Sequence, residues 1–377
     1  MKKLKIGISG LSAWPLPMEP GKLSAPQVVM NNLVNSLLKK GHEVVFFGGK
    51  ESKTKAKVIS GGLFSADHEF GPEILNPVAF SDRKVEYDMI LAREVIAAYD
   101  RGEIDLLNAH DIRYSPHVFS RSSVPVLYTP HYSLETRFHD YDKYRYRIMS
   151  GAKNLGVACI TRDNNKFCRD LGIKAYGRVP NSIDTDLYSF GDPEKRNGIL
   201  VVNRIVPGKK IAEAIDIALS LNQKITLVGP MGAKDNEKEY FKMIESKYFN
   251  NKNVDYVGPK YGNELVKYYQ SAKVLIYTSE FEGGLPLGIL EAMSTGLPVV
   301  ASGVGGIKDL IFTGENGFLV NSFDPKDWHD KIKLALDLDS KNVRQTILEN
   351  FTIEKSADNY LAAYNNFLNH KELKEDE

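Results

Sequence analysis

Cysteine is almost missing from this chain: there are two, Cys159 and Cys168, among 377 residues. They are too few for a disulfide framework and lack the paired spacing of a structural zinc site. A reducing cytoplasm is therefore the expected setting. Long apolar runs are missing as well, since no stretch approaches the roughly 18 residues that a membrane-spanning helix needs. The opening MKKLKIGISG starts basic, but its apolar run breaks at Gly7 and Gly10, as in a first strand rather than a signal peptide. Excess charge is absent too: 49 Lys and Arg face 48 Asp and Glu, so no global field points to nucleic acid. The dinucleotide fingerprint is lacking. Gly7-Ile8-Ser9-Gly10 does not have the GxGxxG spacing, and no acidic partner follows about twenty residues on, which argues against a two-domain dehydrogenase.

What is present is ordinary globular material, 42% hydrophobic and 26% charged, and the length suggests roughly two domains. Apolar, β-rich runs recur at 4–9, 43–47, 106–109, 126–129 and 157–161. A second set falls at 199–202, 225–229, 254–257, 274–278 and 298–302. These runs are continuous rather than alternating, with helical patterns between them, which predicts parallel sheets covered on both faces. The pattern lapses at 180–197, where Pro, Asn, Asp and Gly gather. Two doubly wound domains follow from this.

The first helix shows the local logic. Ser24 is placed to cap it, Gln27 to complete a capping box, and Pro26 sits in the first turn. Val28, Val29, Leu33, Leu37 and Leu38 form the apolar stripe, and Gly41 ends it. The loop 11–23, rich in proline, lies at the carboxyl end of the first strand, where open α/β sheets bind ligands. Residues 351–368 read as an amphipathic helix, followed by a charged, frayed tail. The segment 133–150 interleaves Tyr141, Tyr144 and Tyr146 with Arg145 and Arg147. It reads as a solvated amphipathic helix, or as a face for an acceptor sugar or an anionic membrane.

The chemistry concentrates in 277–306, YTSEFEGGLPLGILEAMSTGLPVVASGVGG. It reads as a strand end, an acidic glycine loop, a short helix and a second strand. A helix N-terminus suits a phosphate, and the backbone of Gly284, Leu285 and Leu287 supplies the expected N–H donors, Pro286 having none. Carboxylates beside such a cradle repel phosphate and suit hydroxyl groups. Glu291, inside the helix, and Glu282, in the loop before it, are placed to hold such groups, as on a ribose and a sugar, with Glu280 as a rival to Glu282. Arg204 follows the strand ILVVN directly, with Lys209 five residues on. A guanidinium fork and a mobile ammonium there suit a diphosphate. His131 follows another strand, and His110 holds a similar position.

Taken in order, these pieces resemble the family 4 glycosyltransferases. The stretch from Glu282 through Glu291 to Gly306 looks like their signature. DLLNAHD at 105–111 and TPH at 129–131 resemble their amino-domain histidine segments. PNSID at 180–184 resembles the interdomain turn, NRIVPGK at 203–209 the phosphate clamp, and 351–360 the closing helix. The likeness covers nearly the whole chain. One departure is visible: Glu282 to Glu291 is one residue longer than the family's spacing, and the glycines of the loop can absorb the slip.

The resemblance implies a GT-B architecture with two Rossmann-like domains facing across a cleft. Residues 1–180 form the acceptor side, completed by a helix from 352–377 that crosses back, and 181–351 form the donor side. It implies a retaining transferase moving a sugar from a nucleotide-diphosphate donor to a glycan, lipid-linked or small-molecule acceptor. No cofactor and no metal are expected. Arg204 and Lys209 would stabilise the departing diphosphate. Glu291 would hold the ribose, and His131 and Glu282 would stand near the transferred sugar. A cytoplasmic location is expected, with room for peripheral contact at the inner membrane face. Two other readings stay open, a non-catalytic sugar-nucleotide sensor and a same-fold epimerase, hydrolase or phosphorylase.

Overall fold

The structure, a computed structural model, describes residues 2–10, 14–18, 24–66, 68, 77–112, 115–134 and 142–373. Most of the proline-rich loop 11–23, Tyr141 and the end of the charged tail lie outside the described residues.

The chain divides into two compact units, residues 1–181 with 353–377, and residues 182–352. The first unit holds β1 (Lys5–Ser9), α1 (Ala25–Lys39), β2 (Glu43–Phe47), β3 (Lys57–Ile59) and α2 (Pro77–Asp100). It continues with β4 (Leu106–Ala109), α3 (Ser115–Phe119), β5 (Val126–Tyr128), α4 (Asp142–Gly151), β6 (Leu155–Cys159), α5 (Arg162–Asp170) and β7 (Ala175–Arg178). The second holds β8 (Ile199–Val202), α6 (Ile211–Ser220), β9 (Ile225–Val228), α7 (Asp235–Tyr248), β10 (Val254–Tyr256) and α8 (Gly262–Ser271). Then come β11 (Val274–Tyr277), α9 (Leu287–Ser294), β12 (Val299–Ser302), β13 (Gly317–Val320), α10 (Pro325–Leu336) and α11 (Ser340–Asn350). The last helix, α12 (Ile353–Leu368), belongs to the first unit.

Both sheets are parallel. The first runs β3-β2-β1-β4-β5-β6-β7, the second β10-β9-β8-β11-β12-β13. Strands such as ILVV (β8) and VLIY (β11) are almost wholly buried, as sheets covered on both faces require. In the second unit Ile215, Ile225, Val274, Val300 and Trp328 share one core, each side chain contributing about 1.5–3 kcal/mol of burial.

Three strands escape a reading by apolar runs: β3, β7 and β13. All three are sheet edges; β3 (KVI) and β7 (AYGR) are weakly apolar, as an edge allows, whereas β13 (GFLV) is apolar but short. The first helix also differs from expectation. Ser24 stands at its N-cap without a side-chain bond. Gln27 is buried and donates instead to the Trp14 carbonyl at 3.0 Å, so the capping box is not formed. Val28 is exposed, and Met30 and Val34 take its place in the core.

α12 packs on β7 by close approach. A Cβ at Gly177 would lie 2.6 Å from that of Ala363, so glycine lets helix and strand meet. Within α4, Tyr146 is buried and stacks edge-on against Phe167, whereas Tyr144 stays 68% exposed. The tyrosine–arginine segment is therefore partly core.

Candidate functional site in the second unit and a histidine pair in the first

In the second sheet β8 connects to β9 on one side and has β11 on its other side. The strand order therefore reverses at the carboxyl ends of β8 and β11. Such switch points are where open α/β sheets form crevices. The segments after these two strands carry Arg204, Lys209, Glu282 and, one turn into α9, Glu291.

After β8 the chain makes a short 3₁₀ turn over Pro207–Lys209, and Lys210 adopts a left-handed conformation. That turn aims Lys209 inward, with its side chain only 15% exposed. Its Nζ contacts Glu282 Oε1, lies 3.4 Å from the Tyr277 hydroxyl and sits over the Tyr277 ring. The same carboxylate oxygen accepts from Tyr277 and from Ser279 Oγ, each at 2.8 Å. Thr278 Oγ1 donates to the carbonyls of Lys209 and Lys210, tying the two loops together. Glu280, the rival carboxylate, stays on the surface beside Lys210. Arg204 is exposed, near enough for its charge to act on Lys209.

Burial, then the like charge of Arg204, pushes the Lys209 ammonium down to about 7. The Glu282 carboxylate in direct contact opposes that shift and favours the charged form.

α9 begins at Leu287 after Pro286, so its first N–H groups have no intrahelical acceptor. Gly284 is half-buried in the preceding loop, and the Leu285 side chain is buried beneath it. Side chains lean toward a helix's N-terminus, so Glu291 points back along the face that Leu287 opens. Its Oε2 accepts from the Tyr269 hydroxyl at 2.7 Å. Burial raises the Glu291 carboxyl, and hydrogen bonds from Tyr269 and Tyr188 pull it back.

The other end of α9 is held by two arginines. Arg196 donates to the Gly296 and Thr295 carbonyls at 2.6 and 2.7 Å. Arg344 reaches the Ser294 carbonyl and, at 2.8 Å, that of Tyr188. These guanidinium groups satisfy orphan carbonyls and complement the negative end of the helix dipole. Motifs alone give no role to Tyr188, Arg196, Tyr269, Tyr277 or Arg344. All but Tyr277 sit on segments with no motif of their own, and only folding brings them to α9 and its loop.

The first unit presents a second constellation. His110 follows β4 and His131 follows β5, on neighbouring strands. His110 Nδ1 and His131 Nε2 are 2.8 Å apart, with the rings stacked at 15°. Tyr360 of α12 packs against His110, and Tyr364 donates to Asn108 Oδ1 at 2.8 Å. Burial, then His131, holds His110 well below the usual histidine range. Burial pushes His131 down to about 4, with Asn181 opposing. Both imidazoles are thus neutral at physiological pH and bond one to the other.

Folding stability should therefore depend on pH. The unfolded chain takes up protons near 6.5 while the folded imidazoles do not, so stability rises with pH and is lost as pH falls from 6.5 towards 4. The expected slope is about 1.4 kcal/mol per pH unit for each imidazole. Denaturant unfolding at pH 7, 6 and 5, with hydrogen exchange followed in β4 and β5, checks it. His131→Gln should remove one proton's worth of slope, and an unchanged slope would refute the assignment.

Among the described residues no cluster of three or more His, Cys, Asp or Glu could hold a metal ion. Nor is any described helix long and apolar enough to cross a membrane.

Comparison with known proteins fits this architecture. Residues 183–350 match the family described as glycosyl transferases group 1, and residues 26–187 match glycosyltransferase family 4. The chain is 26% identical over 210 residues to a D-inositol 3-phosphate glycosyltransferase of Corynebacterium efficiens, covering 55% of this chain and 46% of that one. The chain thus spans about half the length of the curated relatives it matches. Sucrose-phosphate synthase from Thermosynechococcus elongatus shares the fold, with a TM-score of 0.73, 19% identity, and 97% and 99% of the two chains covered. The Anabaena protein HepE in complex with UDP-glucose aligns with a TM-score of 0.67 at 18% identity, over 96% and 99% of the chains. With the two family matches running in order along both units, the chain belongs to the family 4 glycosyltransferases and has their GT-B fold.

Proposed function

We propose that this protein transfers a sugar from a nucleotide-diphosphate donor to an acceptor hydroxyl, with retention at the sugar carbon. The observation that carries this reading is the meeting of Lys209, Glu282 and the start of α9 at the switch point of the second sheet. A relative named D-inositol 3-phosphate glycosyltransferase and a fold neighbour in complex with UDP-glucose support it.

In this scheme the donor's diphosphate lies against Lys209, Arg204 and the first N–H groups of α9. The bond from the sugar carbon to the diphosphate oxygen breaks as the acceptor oxygen bonds on the same face. The acceptor's proton passes to the departing phosphate, so no side chain acts as a strong base. Charge grows on the leaving diphosphate, and preorganised cations stabilise it where it develops. Glu282 positions the sugar, and Glu291 takes the ribose. The acceptor is a glycan, a lipid-linked sugar or a small molecule.

The test is a panel of UDP-, GDP- and ADP-sugars, first by thermal shift and then by release of nucleoside diphosphate with and without added acceptors. Binding to the native state raises the melting temperature. One donor should shift it and release nucleoside diphosphate in proportion to acceptor glycosylated. Release without transfer would make the protein a hydrolase, binding without turnover a sensor, and no shift with any donor would refute the reading.

A further inference from the structure

We propose that Tyr269 and Tyr188 are positioning residues that set the Glu291 carboxylate for the cis-diol of the donor's ribose. This rests on the donor site proposed above.

The geometry is specific. Tyr269 is fully buried on α8, and its hydroxyl donates to Glu291 Oε2 at 2.7 Å. Tyr188 is buried too, and its ring meets that of Tyr269 edge-on, with centroids 6.1 Å apart at 67°. Its phenol lies close enough to the Glu291 carboxylate to feel that charge. Tyr188 cannot drift, because its carbonyl accepts from Ser294 Oγ and Arg344 Nη1, both at 2.8 Å. Arg344 also donates to the Thr185 carbonyl at 3.0 Å.

Counting acceptors then points to the ligand. An ionised carboxylate offers about four lone-pair sites and no donor. The Tyr269 phenol occupies one of them. The sites left over can take both O–H groups of a vicinal diol. The Tyr269 phenol donates and the Tyr188 ring packs against it, so together they restrict a flexible Glu291 side chain to one arrangement before ligand arrives. A phosphate would meet repulsion here, and a 2′-deoxyribose would leave one acceptor unpaired.

Calorimetric titration of the full chain with UDP, GDP and ADP, each against its 2′-deoxy counterpart, tests the proposal. Wild-type protein should favour one ribonucleotide over its deoxy form by about tenfold or more. Glu291→Gln should erase most of that ratio, and Tyr269→Phe should reduce it several-fold. If Tyr269→Phe weakens both nucleotides equally, Tyr269 is merely structural and the proposal falls. Should that variant fail to fold, Tyr188→Phe is judged by the same ratio. A wild-type protein that binds none of the diphosphates refutes the donor site itself, whereas binding with no ribose preference refutes this inference alone.

Discussion

Lys209→Ala is expected to lower kcat by about a hundredfold to a thousandfold, the cost of removing one preorganised group from a developing oxyanion. The fold should tolerate the change, because Glu282 keeps its bonds from Tyr277 and Ser279. Equal melting temperatures with collapsed turnover would place Lys209 in the reaction, and wild-type turnover would remove it. Lys209→Arg adds a second readout. The lysine is drawn down towards about 7 by burial and back towards its ordinary 10.5 by Glu282, so kcat/KM should fall on an alkaline limb between those values. The sign follows from the charge: as pH rises the ammonium loses its proton and the clamp its cation. A guanidinium stays charged throughout, so Lys209→Arg should lose this limb even where its absolute activity is low.

The second large effect is expected at Gly305. Its φ is +48°, and a Cβ there would overlap the Glu282 carbonyl oxygen. Gly305→Ala therefore meets two penalties. The left-handed conformation costs about 1–2 kcal/mol, and the overlap forces apart the two loops that define the position of Glu282. Displacement of a positioning group by about 1 Å can cost a hundredfold in rate, and turnover should fall by about that much. Gly314→Ala is the control. Its φ is +87° and nothing lies within 4 Å of the added Cβ, so it should lose stability with activity retained. Equal turnover in the two variants would show that the Gly305 contact does not govern the site.

Much of this protein was legible in its residues. Continuous apolar runs predict parallel sheets, because strands buried on both faces need no polar alternation, and β8 and β11 show this plainly. The segment 277–306 places a helix start and two carboxylates at a strand's end, since strand and helix periods are local properties. The edge strands β3 and β7 were not legible, as an edge imposes a weaker apolar demand. Gln27 escapes a local reading because its chance to cap loses to a carbonyl thirteen residues away.

Glu280 and Glu282 mark where local information runs out. Both stand in one loop, and spacing along the chain favours neither cleanly. Only the fold turns one towards Lys209, Tyr277 and Ser279 and leaves the other at the surface with Lys210. The same holds for the His110–His131 bond and the Tyr269–Glu291 bond, whose members lie 21 and 22 positions apart. The sheets, the order of the elements and the family are thus properties of the residue string, because hydrophobic period and short motifs are written in neighbouring residues. Which side chains meet belongs to the folded molecule, because packing joins segments whose separation no local pattern records.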